Sequence, residues 1–219
     1  MSTTVHSPRR LSPIADLTKA ATLCAIALVA LWFAATRVSR FYLNYNAESF
    51  GHYWPYRGWL LLHISSGMVA LLIGPWHFSR RIRQRYLALH RLSGRVYLVA
   101  IVCGAAASFY LAVHADGWAW GTGLFALGVV WLTTSGMAFY AVRLRQIQVH
   151  REWMVRSYIV TFAFVTYRVL SDLGRASQLM PSSDRRITFI WACWSIPLLI
   201  AEVVMQFNRM RRLQPVVAK

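Results

Sequence analysis

The chain has 219 residues, a formal net charge of +17 at pH 7, and 57% hydrophobic side chains against only 7 acidic ones. This composition supplies too little polar surface for a soluble globule of this size, so it excludes that class and indicates a membrane protein. The basic excess is explained by attraction to anionic lipid head groups, most of all at the cytoplasmic face, and requires no nucleic acid partner.

In chain order, six apolar stretches are long enough to cross the ~30 Å hydrocarbon core of a bilayer, which takes about 20 residues. They cover residues 20–36, 59–78, 96–113, 121–142, 153–173 and 187–207. The sequence therefore predicts an all-α integral membrane protein with six transmembrane helices. Residues 1–17 are predicted to be a flexible cytoplasmic tail, 18–208 the transmembrane domain, and 209–219 a basic cytoplasmic tail.

Lys and Arg residues indicate the orientation, because short loops rich in them stay on the cytoplasmic side. Most of them fall in the two tails and in the second and fourth connections between predicted spans, as Arg83 and Arg145 do. Both termini are therefore predicted to be cytoplasmic.

Two parts of the chain resemble each other closely enough to predict a repeated hairpin. The motif SGM at 66–68 leads to HRLSGRVY at 90–97, and SGM at 135–137 leads to HREWMVRSY at 150–158. The second to fifth helices are therefore predicted to form a pseudo-repeated four-helix bundle. The repeat places a histidine followed by arginine at the same membrane face in both copies.

Histidine depth indicates a haem site. His63 and His77 lie ~21 Å apart on one helix and share a face, a spacing found in membrane cytochromes that stack two b haems. Each haem iron also needs an imidazole from a facing helix at the same depth. His90 and His150 meet that need on the inner side, whereas no residue of the fourth span meets it for His63. We therefore expect one haem, with its iron between His90 and His150, rather than two.

Charged residues add detail to this site. Arg168 has Asp172 four residues on, which predicts either a self-neutralising pair or an anion clamp or quinone-carbonyl donor beside His63. Glu202 lies at the depth of Arg156 and is predicted to pair with it, because an unpaired carboxylate at that depth is costly. The arginines available to haem propionates or to a lipid phosphate are Arg91, Arg95, Arg151 and Arg156.

These residues also resemble a known family pattern, that of the bacterial membrane proteins catalogued as domain of unknown function 2306. The resemblance implies a multi-pass protein of the bacterial inner membrane and names no function. In that pattern the position of His77 is more often glutamine, which favours His63, His90 and His150 as binding residues. The four-helix core is also similar to cytochrome b561-type membrane cytochromes in helix count and histidine placement. The motif residues are His63, Gly67, Gly74, Pro75, Phe78, His90, Arg91, Gly94, Arg95, Tyr97, Trp131, His150, Arg151, Trp153, Met154, Arg156, Ser157, Tyr158 and Arg168.

Two hypotheses about function follow. The first is a membrane redox protein that binds haem b or a quinone at the inner-face cluster of histidine and arginine. The second is a non-enzymatic membrane subunit or lipid-binding protein, in which the same cluster meets an anionic phospholipid and the apolar surfaces pack on partner helices. A histidine followed by arginine at a helix start is compatible with both, because it can ligate iron or meet a phosphate.

Overall fold

The computed structural model describes residues 13–178 and 180–213. In this part of the chain the secondary structure is entirely helical, with one π-helical and one 3₁₀ segment between α1 and α4. The α-helices are α1 (Pro13–Phe33), α2 (Arg40–Leu43), α3 (Ala47–Phe50), α4 (Arg57–Phe78), α5 (Arg80–Arg85), α6 (Leu87–Val113), α7 (Trp118–Arg143), α8 (Ile147–Ser177) and α9 (Ser182–Leu213).

Five helical stretches are long and apolar enough to cross a membrane: Ala21–Leu43, Ala47–Phe78, Leu87–Val113, Trp118–Arg143 and Ser182–Arg211. Large apolar side chains lie exposed on them, among them Leu28, Val99 and Leu199. An exposed apolar surface of this extent is typical of contact with lipid. The chain is therefore a multi-pass membrane protein, as its composition predicted.

The predicted span 153–173 lies within α8, which is not among these five stretches. Its sequence mixes apolar residues with arginines, an aspartate and several hydroxyl side chains, so it is less apolar than the others. Many of its side chains face protein, and Ser157, Thr161 and Ala163 are almost fully buried. A helix surrounded largely by protein needs less apolar surface than one that faces lipid. That α8 crosses the membrane as a sixth span stays a prediction.

Four central helices form a bundle. α4 packs along α6, α6 along α7, and α7 along α8, while α4 also contacts α8 and so closes the ring. α9 packs on α8 and α7, and α1 packs on α4. These four helices are the predicted second to fifth spans, so the predicted helical bundle is confirmed. Because short connections make successive helices antiparallel, α6 and α8 run in the same direction.

Glycines let the helices approach closely at several contacts, as is common in membrane bundles. A Cβ atom on Gly74 of α4 would overlap the ring of Tyr158 in α8. A Cβ on Gly123 of α7 would lie 2.5 Å from Ile190 in α9. These positions define where α8 and α9 sit against the rest of the bundle.

The helix boundaries differ from the prediction at two places. α1 begins at Pro13, inside the tail predicted over 1–17, and residues 1–12 of that tail lie outside the described residues. α9 continues to Leu213, past the predicted end of the transmembrane domain at 208, and 214–219 lie outside the described residues as well. Between α4 and α6, in the longer of the two hairpin loops, the chain forms the short helix α5.

Candidate functional site

Three histidines from three helices line one cavity, at the end of the bundle where α4 ends and α6 and α8 begin. We call it the histidine cavity. His77 lies in the last turn of α4, and His90 and His150 are each the fourth residue of α6 and α8. The cavity volume is about 720 Å³, within the range of ~300–1,000 Å³ typical of small-molecule sites. The other lining residues are Phe78, Arg83, Gln84, Leu87, Arg91, Val142, Ile147, Arg151, Met154 and Val155.

A tight turn brings His150 to this cavity. α7 ends at Arg143, and the backbone N–H of Gln146 donates to the carbonyl of Ala141 at 2.9 Å. Arg145 takes a left-handed conformation with a φ of 59°, which is uncommon for a residue other than glycine. The turn reverses the chain within a few residues, so α8 starts directly beside the end of α7.

A hydrogen bond deeper in the bundle shows that His90 and His150 belong to the same layer. The hydroxyl of Tyr97 in α6 lies 2.9 Å from that of Ser157 in α8. Tyr97 follows His90 by seven residues, and Ser157 follows His150 by the same interval. Because α6 and α8 run in the same direction, each histidine lies ~10 Å along its helix from this bond. The two helices thus face each other across the bundle.

Hydrogen bonding fixes which nitrogen of His150 carries the proton. Nδ1 of His150 lies 2.8 Å from the carbonyl oxygen of Ala138, which can only accept, so Nδ1 donates. In the neutral ring Nε2 then carries no proton, and its lone pair is free to coordinate a metal. Metal-ligating histidines commonly have this arrangement, with the other ring nitrogen donating to a backbone carbonyl.

Two other ring nitrogens in the cavity are unpaired. Nε2 of His77 and Nδ1 of His90 are buried and have no hydrogen-bond partner among the described residues. The two rings are in contact, with centroids 5.0 Å apart. Buried polar atoms in proteins are usually hydrogen-bonded, so both nitrogens are available to a ligand. The ring contact links His77, which the sequence pattern disfavoured, to one of the favoured histidines.

The histidine cavity is strongly basic. Arg83, Arg91 and Arg151 line it, and none of its lining residues is acidic. Arg83 of α5 also donates to the carbonyl of His77, at 3.2 Å. This contact places the short helix α5 against the end of α4, where a cation is favourable because the helix dipole is negative there.

Two arginines of the predicted cluster do not line the cavity. The guanidinium of Arg156 binds the carboxylate of Glu202 in α9, with its shorter contact at 2.5 Å, and lies over the ring of Trp153. The predicted pairing of Arg156 with Glu202 is thus confirmed, and it directs Arg156 towards α9. Arg95 is exposed and is not among the lining residues.

His63 lies in a second cavity near the other end of the bundle, which we call the opposite cavity. Its volume is about 280 Å³, and it shares no lining residue with the histidine cavity. Nδ1 of His63 donates to the carbonyl of Gly104 at 2.9 Å, so Nε2 is the free nitrogen here as well. Arg168 lines the same cavity. The site residues inferred from the sequence are thus divided between two cavities.

The carboxylate of Asp172 has other partners than Arg168. It forms ion pairs with Arg37, from the π-helical segment after α1, and with Arg175, at 2.5 Å. The self-neutralising pair with Arg168, one of the two predicted alternatives, is not formed. The sequence analysis did not identify Arg37 as the partner of Asp172, because nothing in the sequence indicates that the segment after α1 contacts α8.

Another feature that the sequence did not predict is a buried network of hydroxyl groups between the cavities. Besides Ser157, the hydroxyl of Tyr97 contacts that of Thr161 at 3.1 Å. Thr161 accepts from the indole N–H of Trp131 at 2.9 Å, and Ser135 lies 2.7 Å from Ser157. These side chains join α6, α7 and α8. A row of Ser, Thr and Tyr at helical spacing in the apolar spans was the available signal.

The remaining histidines of the described residues, His52 and His114, contact each other and nearby aromatic rings. His114 packs against the rings of Tyr56 and Tyr110, and its carbonyl lies 2.8 Å from Nε2 of His52. Cys193 is buried. In the described part of the chain, no group of three or more His, Cys, Asp or Glu side chains is placed to hold a metal ion.

Comparison with known proteins gives a family and no activity. The family described as "Predicted membrane protein (DUF2306)" matches residues 60–205. This match contains every residue that lines the histidine cavity, together with His63 and Arg168. No curated protein matches the chain, and no solved structure does.

Proposed function

The chain belongs to the DUF2306 family of predicted membrane proteins, and from that premise we propose that it is a membrane redox protein that holds a b-type haem in the histidine cavity. The family description names a location and no activity, so the proposal is based on the geometry of the site. The observation that carries it is the position of His90 and His150, which belong to one layer of two facing helices and line one cavity.

The histidine cavity provides the groups that a haem needs. Histidine imidazoles are common protein ligands of haem iron, and this cavity offers two of them from facing helices. In this proposal His90 and His150 would hold the haem iron through their ring nitrogens, and the haem would supply one-electron transfer. Arg91 and Arg151 bind the propionates through charge-assisted hydrogen bonds. His77, in contact with His90, holds that ring in place.

We place this cavity at the cytoplasmic face of the bacterial inner membrane. Support for this orientation comes from the arginines that cluster at this end of the bundle, on α5 and at the starts of α6 and α8. α8 serves as the sixth crossing, since its 31 residues span ~46 Å in a helix, longer than the hydrocarbon core. Both termini then lie on the cytoplasmic side.

Absorption spectroscopy tests the proposal. The full-length protein, expressed with ample haem supply and purified in detergent, is expected to show a Soret band and α-bands that sharpen on reduction. His90→Ala and His150→Ala should each abolish these bands, and His77→Ala should leave them largely intact. His52→Ala is the matched control, because His52 lies in the connection before α4 and outside the cavity. A colourless wild-type protein, bands that persist in His90→Ala or His150→Ala, or equal loss of the bands in the control contradicts the proposal.

One observation favours a second function, the binding of an anionic phospholipid. Three arginines line the histidine cavity and no acidic residue does, which suits a phosphate as well as a propionate. A colourless protein that retains phosphatidylglycerol through purification, and loses it in Arg91→Gln or Arg151→Gln, supports this function. If the protein is colourless and retains a quinone, the redox function stands, with the quinone rather than haem as the redox group.

A further inference from the structure

The opposite cavity is built as a ligand site in its own right. Aromatic and aliphatic side chains form most of its wall, among them Phe33, Phe41, Met68 and Phe164. Its volume of about 280 Å³ is close to the lower end of small-molecule pockets, ~300 Å³. It lies beneath the connection between α1 and α4, which contributes Phe50 and other residues to the lining. The apolar interior suits a hydrocarbon chain or a ring.

Three arginines line this apolar cavity, and they carry more charge than the protein neutralises. Arg37 and Arg40 come from the connection after α1, and Arg168 comes from α8. Asp172, the acidic residue close by, binds Arg37 and Arg175. In the described residues Arg168 has neither an ion pair nor a hydrogen bond. Its guanidinium lies 5.7 Å from the centroid of the Tyr167 ring, and a cation–π contact offsets only part of the cost of withdrawing an arginine from water at this depth.

The way Arg37 reaches the cavity supports a role in binding. Directly after α1, the segment Ala34–Val38 forms a π-helix. This rare form is frequently found at functional sites. Arg37 and Arg40 also precede residue 60, where the family match begins. Two of the three arginines in the cavity wall thus lie outside the matched region, and Arg168 lies within it.

We propose that the opposite cavity binds an amphiphile with a single anionic head group, a carboxylate or a phosphate, and an apolar chain. The head group binds Arg168 and Arg40, and the chain lies along the aromatic wall. A neutral quinone is the poorer ligand, because its carbonyls accept hydrogen bonds but do not offset the unpaired charge. Arginine suits such a head group because its planar fork can bind two oxygens at once.

Calorimetric titration of the full-length protein in detergent tests the charge requirement. The probes are decanoate, decyl phosphate and decanol, which share a chain and differ in charge. We expect both anions to bind at least tenfold more tightly than decanol, with the tighter of the two identifying a fatty acid or a lipid phosphate as the natural head group. Decanol also controls for partition into the micelle. Equal binding of acid and alcohol, or no binding of either anion, overturns the proposal.

Two arginine variants test the location. Arg168→Gln is expected to weaken anion binding at least tenfold and to leave decanol unchanged. Arg143→Gln is the control, because it removes the same charge at an exposed residue that lines neither cavity. Should Arg168→Gln fail to fold, Arg40→Gln is expected to weaken binding in the same sense. Unchanged affinity in the lining variants, or equal loss in the control, overturns the assignment.

A chain-length series tests the apolar part. From hexanoate to decanoate we expect roughly a fourfold gain in affinity per CH₂ if each methylene is buried, with partition into protein-free micelles measured separately for each acid. Acetate and inorganic phosphate should bind at least a hundredfold more weakly than decanoate. Binding of either small anion as tightly as decanoate shows an anion site without an apolar requirement and overturns the amphiphile proposal.

Discussion

Replacing Gly74 by alanine tests the contact on which the position of α8 depends. The added Cβ would overlap the ring of Tyr158, which also donates to the carbonyl of Leu71 at 3.1 Å. Overpacking of this kind costs ~1–3 kcal/mol, and displacement of the Tyr158 hydroxyl from Leu71 adds ~0.6 kcal/mol for a hydrogen bond inside a membrane. Alanine recovers ~0.5–1 kcal/mol through its higher helix propensity. The net expectation is a destabilisation of ~0.6–3 kcal/mol.

Gly136→Ala is the matched control for this prediction. Gly136 lies inside α7, and a Cβ there has no neighbour within 4 Å. The propensity gain is then the only effect, and Gly136→Ala should be more stable than wild type by ~0.5–1 kcal/mol. The assay is reversible unfolding in mixed micelles, followed by helix content. A Gly74→Ala variant at least as stable as Gly136→Ala refutes the contact.

A double mutant identifies the ring as the cause. In a Tyr158→Leu background the obstructing ring is gone, so adding Gly74→Ala should cost less than in the wild-type background by at least ~1 kcal/mol. Additive effects of the two substitutions would show that the cost of Gly74→Ala arises elsewhere in α4.

Three further predictions concern topology, the core and an ion pair. Cysteines introduced at Arg83 and Gln146 should be protected from an impermeant reagent added outside intact cells, and labelling of either reverses the predicted orientation. Tyr97→Phe removes two interhelical hydrogen bonds and should lower stability by about 1 kcal/mol, measured by unfolding in mixed micelles; an unchanged stability shows that the network does not hold α6 to α8. Glu202→Gln weakens the ion pair with Arg156 and should lower the free energy of unfolding by about 1 kcal/mol, a value already reduced because the pair is partly exposed. Glu152→Gln is the control and should leave the free energy of unfolding unchanged.

The elements that could be predicted were those governed by properties along the chain. Apolar length located the spans, and the repeated His-Arg motif indicated that His90 and His150 share a layer. The pairing of Arg156 with Glu202 followed from comparing depths, because both residues sit a similar distance inside the same boundary and few other partners exist there. α8 was harder to assign, since a helix surrounded by protein carries polar residues that resemble those of a soluble helix.

The residues that could not be predicted depend on which helices meet. Asp172 lies four residues from Arg168, yet its carboxylate binds Arg37, more than a hundred residues away in sequence. Spacing along one helix shows which side chains can meet, but the fold of the connection after α1 decides which do. The same holds for His77, which joins the histidine cavity because α4 ends beside the start of α6.

The hydroxyl network has a consequence for permeation and for the membrane potential. Tyr97, Trp131, Ser157 and Thr161 are at most 2% exposed, and their polar atoms bond to one another rather than leaving sites for water. This layer lies between two cavities that share no lining residue, and we expect it to resist the passage of a hydrated ion. Most of a transmembrane voltage should fall across this layer. Moving one charge across a full 100 mV takes ~2.3 kcal/mol, and a charge that stays within either cavity senses only a small part of it.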